Sequence, residues 1–511
     1  MELKELTRKT LELFGCKDIA ELQKNIMSTI QQNDFNKYES FCQLIDNELS
    51  IDWLQKIFQY YYADRKYKKQ DYTPKSLAEL CGRLTECENE KIVIDLCAGS
   101  GALTIQKWNS NNSLNFICFE LDETVIPFLL FNLAIRNING YVVNGNALSG
   151  EVIKTYQITK GDKFSTITEC KEIKIQADTC ISNPPFNLKW TLPVFSQLQS
   201  RFSKCELPPE SNANYAFVLT ALDWIKEKAS FILPNGVLTT DNKQEKAIIK
   251  YLVDKNLIES VILCPRSMFE STDISTCILT VNKHKKNTFV EFIDMRKIYE
   301  EETREQNGQF GGAAHENRTY KKSVNVFTND HIASAVKSIA ENENISEFCK
   351  SVSLNKIASN NYTLQVSRYI DFEIKENQHR KYGDIIDDIN RIIDEKNALK
   401  LTMNETIAKA IGIFDIYSLC KQSEETADEM SESLSFTGKK IKKENFITLS
   451  KNKNEFKFEN MSKEKLSTIL MSILQMWKQH IMYLNEEENR YLIELRDALL
   501  PDLMSGKIEL K

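Results

Sequence analysis

The chain has 511 residues, 42% of them hydrophobic and 27% charged, which excludes a fibrous or wholly disordered protein and leaves room for two to four domains of roughly 100–200 residues. No run approaches the roughly 18–20 apolar residues of a membrane helix, and the amphipathic start, Met1 to Gly15, lacks the form of a secretory signal. The net charge of −6 does not by itself advertise a nucleic-acid partner, but local patches matter more than totals. Three such patches are Arg65 to Lys69, Lys283 to Lys286 and Lys439 to Lys443. Each reads first as a solvated loop.

Leu and Phe recur at helical spacing over residues 1–70, ending in the aromatic run Phe58 to Tyr62. Short β-branched runs then alternate with helical stretches. Strands are predicted at Ile92–Leu96, Leu114–Glu120, Tyr141–Val143, Ala177–Ser182, Ser230–Leu233, Ser260–Leu263 and Thr276–Val281, with helices at Glu123–Arg136, Tyr215–Lys226 and Lys243–Lys255. This alternation implies an α/β fold with a parallel, doubly wound sheet. Glu300–Lys322 is polar, carries Gly308, Gly311 and Gly312, and predicts a long mobile loop. Asp384–Leu399 is again helical, and Ser423–Asn460, rich in Ser, Glu and Lys, reads as a linker. A final helix carries an apolar seam of Leu466, Leu470, Ile473, Trp477, Ile481 and Leu484, resuming after the polar break Asn485–Asn489 at Tyr491, Leu495 and Ala498, and stopping at Pro501. The seam packs either on its own domain or on another chain.

The thirteen cysteines form no C-x-x-C pair, and the five histidines do not cluster with them. They read as reduced thiols of a cytoplasmic protein, with no metal site expected.

Two places carry chemistry. Asp95-Leu-Cys-Ala98-Gly99-Ser100-Gly101 closes the first predicted strand and opens a helix, where glycines let backbone approach a ligand in the crevice at the strand ends. Glu120 ends the second strand, where an acidic side chain can accept hydrogen bonds from ribose hydroxyls. With no phosphate-binding Gly-Lys-Ser/Thr, a nucleoside cofactor such as S-adenosylmethionine fits better than NAD. Asn183-Pro184-Pro185-Phe186 follows the fourth strand at the same sheet edge. The prolines fix the backbone and remove two N–H donors. The Asn183 side-chain oxygen and the Pro184 carbonyl can then accept both hydrogens of a flat amino group, leaving its lone pair free to face a methyl donor. Phe186 offers a face for the base.

These residues resemble the adenine-N6 DNA methyltransferases in which the cofactor turn precedes the catalytic tetrapeptide, and above all the modification subunit of type I restriction–modification systems. The likeness runs from about residue 70 to 370 through Asp71 to Pro74, Asp95 to Gly101, Asn183 to Phe186, Asn214 to Phe217, Ile232 to Leu238, Ile274 to Leu279 and Asn361 to Tyr369. It implies a class I S-adenosylmethionine-dependent methyltransferase fold, a Rossmann-like doubly wound sheet, with N-terminal and C-terminal helical regions. Tyr72, Thr73 and Pro74 would lie against the cofactor's methionine end, Asp95 and Gly99 beneath it within the turn of Ala98, Ser100 and Gly101, and Glu120 on the ribose. Asn146 and Ala147 would border the cofactor, although Asn146 stands where the family usually has Asp. Asn183, Pro184, Pro185 and Phe186 would hold the target adenine.

The C-terminal Leu495 to Gly506 resembles the ends of conserved helices in specificity subunits. Domains are accordingly expected at 1–70 (helical), 71–375 (catalytic), 376–422 (connector), 423–460 (linker) and 461–511 (subunit association). The partners implied are double-stranded DNA, a specificity subunit, and further a restriction subunit or a second copy of the chain. The residues leave two other readings open, a related methyltransferase acting on RNA or a protein glutamine and a non-catalytic DNA clamp; the usual Ser of cytosine-N4 enzymes is absent at Asn183.

Overall fold

A computed structural model describes residues 3–62, 73–171, 173–191, 200–269, 274–307, 319–370, 380–410, 448–449, 456–457, 480 and 482–499. Tyr72, the basic runs 65–69 and 439–443, nearly all of the predicted linker 423–460, and seam residues Leu466 to Trp477 and Ile481 lie outside the described residues. The chain divides into two compact units, Met1–Phe372 and Glu373–Lys511.

The first unit opens with four helices, α1 Leu3–Phe14, α2 Ile19–Gln31, α3 Phe35–Leu44 and α4 Trp53–Tyr62. Carboxylates start three of them. Asp18 accepts from Ala20 N at 2.9 Å, Asp34 from Lys37 N at 3.4 Å and Asp52 from Gln55 N at 2.8 Å, satisfying first-turn N–H groups. After α5 (Lys75–Leu84) come β1 Ile92–Asp95, α6 Ala102–Ser110, β2 Asn115–Glu120, α7 Ile126–Ile135 and β3 Asn139–Gly145. All of α7 is buried, because one face meets the sheet and the N-terminal helices cover the other. Phe14, Tyr38 and Phe41 all set ring edges on Phe131, with centroids 5.5, 4.9 and 5.3 Å away.

The chain continues through β4 Val152–Thr159, β5 Thr166–Cys170, β6 Thr179–Ser182, α8 Asn214–Trp224, β7 Lys228–Pro234, α9 Lys243–Asp254, β8 Ile258–Leu263, β9 Thr276–Asn282 and β10 Phe289–Asp294. β11 Glu300–Asn307, β12 Thr319–Val326, α10 Asn329–Glu341 and β13 Cys349–Ser353 follow. The main sheet has 11 strands in the order β13-β10-β8-β9-β7-β6-β1-β2-β3-β4-β5. β3, β2, β1, β6 and β7 are parallel neighbours, and β9 runs antiparallel between β7 and β8.

The predicted loop over Glu300–Lys322 is corrected at its two ends, where β11 and β12 pair antiparallel from Glu300↔Val326 to Asn307↔Thr319 as a separate two-stranded ribbon; its middle, 308–318 with Gly308, Gly311 and Gly312, lies outside the described residues. The ribbon pairs only with itself, and its sequence, mostly charged and polar, lacks the alternation that betrays a half-buried strand. The patch at Lys283–Lys286 is also corrected. Lys283 Nζ donates to Ile225 O at 2.9 Å, and Lys285 Nζ to Ile258 O at 2.7 Å, so both clamp the base of the sheet. Burial pushes Lys285 down to about 8.

The second unit contains α11, Tyr382–Ala410, and a helix over 482–499. Ile385 and Ile392 are buried with Leu484, Tyr491 and Ala498, and Lys396 pairs with Glu488 at 2.5 Å. The described part of the predicted seam is thus covered within its own chain, and the helix runs unbroken through 485–489. Met482, Tyr483, Leu492 and Ile493 remain exposed, as do Ile386 and Ile393. Among the described residues, no helix is long and apolar enough to cross a membrane.

Candidate active site

β1 is the switch point of the sheet, with β2 on one side and β6 on the other. Ligands bind outside the carboxyl ends of strands at such a point. Asp95, the last residue of β1, is fully buried; Thr104 Oγ1 donates to it at 3.0 Å and the Cys97 N–H at 3.3 Å. It braces the turn from beneath, and burial pushes its carboxyl up to about 7.

The turn itself is closed by Gly101 N to Ala98 O and tied to β2 by Ala98 N to Phe119 O, both at 2.8 Å. Gly101 has φ +105°, a conformation that a side chain rarely adopts, and caps α6. The Gly99 N–H donates to Glu120 Oε2 at 2.8 Å, while the Asp122 N–H donates to Glu120 Oε1 at 2.7 Å. A Cβ added at Gly99 would meet nothing within 4 Å, so the crevice is open there. Asn146 and Ala147 follow β3 at the same edge. Asn146 Oδ1 accepts from Leu148 N at 2.9 Å and Ser149 N at 3.2 Å, a local turn that an Asp would make equally well. Arg201 donates to the Ala147 and Leu148 carbonyls and so fixes this loop.

The tetrapeptide follows β6. Asn183 Nδ2 donates to Thr73 Oγ1 at 2.9 Å, and Asn183 Oδ1 is buried without a hydrogen-bond partner. The donation to Thr73 holds the nitrogen side of the planar amide, and so fixes which way its oxygen points. Pro184 is buried, Pro185 and Phe186 are half-buried, and the Phe186 ring meets Phe269 edge-on with centroids 6.0 Å apart. Asn214, buried at the start of α8, braces the tetrapeptide by exchanging hydrogen bonds of 3.4 Å with Asn187. Ser182 Oγ, Asn235 Oδ1 and Thr276 Oγ1 are further buried polar atoms without partners, at the end of β6, just past β7 and at the facing end of β9. Thr73 and Pro74 are buried beside Asn183, and also line a polar cleft of about 350 Å³ with Asp52, Lys56, Gln106 and Arg304.

The structure therefore gathers Thr73, Asp95, Ala98 to Gly101, Glu120, Asn146 and Asn183 to Phe186 on one sheet edge. Sequence reasoning missed Asp52, Asn132, Arg136 and Arg201, and it named Asn214 only within the block Asn214 to Phe217, without a role. The partners that matter lie far along the chain, and a local signal exists only in the cap position of Asp52 and in that block.

Residues 50–378 match the family described as N-6 DNA Methylase. The chain belongs to this family. It is 27% identical over 368 residues to the "Type I restriction enzyme MjaVIII methylase subunit" of Methanocaldococcus jannaschii, covering 68% of this chain and 58% of that relative. It is 26% identical over 413 residues to the "Type I restriction enzyme MpnII methylase subunit" of Mycoplasma pneumoniae, covering 77% of this chain and 69% of the relative. The chain thus spans less than two thirds of the first relative's length. The crystal structure of the type I restriction-modification system methyltransferase subunit from Streptococcus thermophilus shares the fold, with a TM-score of 0.51, 20% identity, and coverage of 72% of this chain and 80% of that one.

The fold is that of class I S-adenosylmethionine-dependent methyltransferases, and the residues at this sheet edge fit such a cofactor. The carboxylate of Glu120 keeps lone pairs for two ribose hydroxyls after accepting two backbone N–H groups. Burial raises the carboxyls of Asp95 and Glu120, and among the described residues neither has a cation paired to it. A cationic sulfonium nearby would relieve that cost.

Proposed function

We propose that this chain transfers a methyl group from S-adenosyl-L-methionine to the N6 amino group of an adenine in double-stranded DNA. It acts as the modification subunit of a type I restriction–modification system, with sequence recognition supplied by a separate specificity subunit. The observation that carries this reading is the Asn183 amide: its nitrogen is held by Thr73 and its oxygen is buried with nothing to accept from. A buried acceptor left unpaired costs about 1–3 kcal/mol, which an incoming amino group would recover.

S-adenosyl-L-methionine supplies an electrophilic methyl group when bound. Asn183 Oδ1 and the Pro184 carbonyl accept the two amino hydrogens of the adenine, drawing its nitrogen towards a pyramidal form with the lone pair directed at the donor. Phe186, backed by Phe269, gives the base a stacking face. After transfer the nitrogen carries positive charge, so its proton passes to water without a dedicated base. Reaching this pocket requires the adenine to leave the duplex stack, which costs a few kcal/mol. Lys283 and Lys285 are tied to the chain's own carbonyls, so in this reading the specificity subunit and the basic runs 65–69 and 439–443 supply the phosphate attraction.

In this reading residues 1–70 and 71–375 form the helical and catalytic regions, 376–422 and 423–460 connect them to 461–511, and 461–511 meet the specificity subunit. A restriction subunit and a second copy of this chain complete the assembly. The test is Asn183→Ala, assayed with co-expressed specificity subunit on unmethylated DNA. It should bind cofactor as the wild type does and lose transfer by at least about 10²–10³-fold. Transfer at the wild-type rate would overturn the assignment.

A further inference from the structure

We propose that Asp52, carried by the N-terminal helices, is a positioning residue for the cofactor turn, which couples the helical region to cofactor binding. This rests on the S-adenosyl-L-methionine reading above. Asp52 lies only 7% exposed at the start of α4. Its Oδ2 accepts from Ser100 Oγ at 2.6 Å, and its Oδ1 accepts from Asn132 Nδ2 at 2.9 Å. The same Asn132 nitrogen donates to Ser100 O at 2.9 Å. Ser100 is therefore held at both its hydroxyl and its carbonyl.

The residues around Asp52 are strapped to the catalytic sheet's helices. Arg136 Nε donates to Leu49 O at 2.8 Å and its Nη2 to Ile51 O at 2.9 Å. Gln106 Nε2 donates to Ser50 O at 2.6 Å, and Lys75 Nζ to Ser50 Oγ at 2.9 Å. Holding helices onto α7 does not need this: the rings of Phe14, Tyr38 and Phe41 on Phe131 already do so. A buried carboxylate costs several kcal/mol, so its bonds have to do something apolar packing does not.

Their target explains it. Ser100 stands between Gly99 at φ +56° and Gly101 at φ +105°, the two most permissive links in the turn. Fixing Ser100 limits the turn on the far side of Gly99, whose own N–H is held by Glu120, so the Gly99 hinge is pinned at both ends. Asp52 thus orders the turn before a ligand arrives. By reciprocity, a cofactor seated on the turn must steady residues 49–52 in return.

The test uses the full chain and the variants Asp52→Ala, Asp52→Asn, Ser100→Ala and the double Asp52→Ala/Ser100→Ala. S-adenosyl-L-methionine affinity is measured by calorimetry, and amide hydrogen exchange over residues 45–56 is followed with and without it. Losing a buried hydrogen bond to a charged group predicts a Kd raised about tenfold to hundredfold in Asp52→Ala. Asp52→Asn should stay within about threefold, because its oxygen still serves Asn132 and Gln55 and its amide can donate to Ser100. The double variant should bind no more weakly than the weaker single one. Cofactor should slow exchange at 49–56 in the wild type and not in Ser100→Ala, which removes one oxygen and is expected to fold. Wild-type Kd in Asp52→Ala with a lowered Tm would assign Asp52 to folding alone and overturn the proposal. Additive losses in the double variant, or wild-type exchange indifferent to cofactor, would also overturn it. A wild-type chain that binds no S-adenosyl-L-methionine would instead bring down the cofactor reading, and this proposal with it.

Discussion

Thr73→Val separates the orientation of the catalytic amide from the binding of cofactor. Valine keeps the shape of Thr73, which is 7% exposed, and removes the oxygen that accepts from Asn183 Nδ2 at 2.9 Å. The abandoned amide donor costs about 1–3 kcal/mol where it stands. Rotating the amide relieves that cost but turns Oδ1 away from where the amino group docks. If the unpaired donor disfavours the competent orientation by about 1–2 kcal/mol relative to the rotated one, roughly 3–16% of molecules stay ready, and the reaction slows about fivefold to thirtyfold. The assay is single-turnover transfer of labelled methyl groups at saturating cofactor and DNA, with the specificity subunit present, beside a cofactor titration. The rate should fall by that factor while cofactor Kd moves less than about threefold, and Thr73→Ser should restore most of the rate. An unchanged rate, or a loss confined to Kd, would refute the reasoning and leave Thr73 only the cofactor contact expected from sequence.

Three further outcomes test the fold and its titration. Gly140 has φ +154°, and a Cβ there would sit 1.9 Å from Phe116 O in the neighbouring strand, so Gly140→Ala should cost at least about 4 kcal/mol and collapse solubility; a soluble variant with the wild-type Tm would contradict the β2–β3 register. Lys107, fully buried, lies 2.9 Å from Glu90 and donates to Gly82 O, so Lys107→Ala should lower stability by about 3–5 kcal/mol, whereas Lys107→Met with Glu90→Gln should lose less; equal losses in denaturation midpoints would argue against the pair. Burial pushes Glu291 up from 4.5 to about 7, against hydrogen bonds from Ser351. The folded state therefore holds a proton that the unfolded chain releases, and stability falls as pH rises through this window; Glu291→Gln should flatten thermal midpoints between about pH 5 and 8, and an unaltered slope would place the titration elsewhere.

Strands buried on both faces announce themselves. Ile92 to Asp95 and Thr276 to Asn282 are near-continuous apolar or small residues because helices cover the sheet on each side, and their predicted limits fall within a residue or so of the structure. β5, mostly exposed, and the ribbon of β11 and β12 carry no such pattern, and both were invisible as strands. The site divides in the same way. The turn Asp95 to Gly101 and the tetrapeptide Asn183 to Phe186 are local arrangements whose chemistry lies in adjacent residues. Asp52, Asn132 and Arg136 reach the site through partners far along the chain, where the sequence gives a cap or a helix face and no hint of what it touches. Asn146 is intermediate: its departure from the usual Asp is visible, but that its oxygen serves its own loop is not.

The strand order has a bearing on how such a protein can be encoded. Everything proposed to hold the methyl donor from the sheet, from Asp95 to Ala147, comes before the outer hairpin of β4 and β5, and everything proposed to hold the base, from Asn183 onward, comes after it. Within the sheet the two halves join where β1 lies alongside β6, Val93 opposite Thr179 and Asp95 opposite Ile181. That junction is a lateral pairing and takes no notice of which strand was translated first. The order in which the two groups of residues occur along the chain is thus a matter of how the strands are connected, and the pairing that brings them together makes no demand on it.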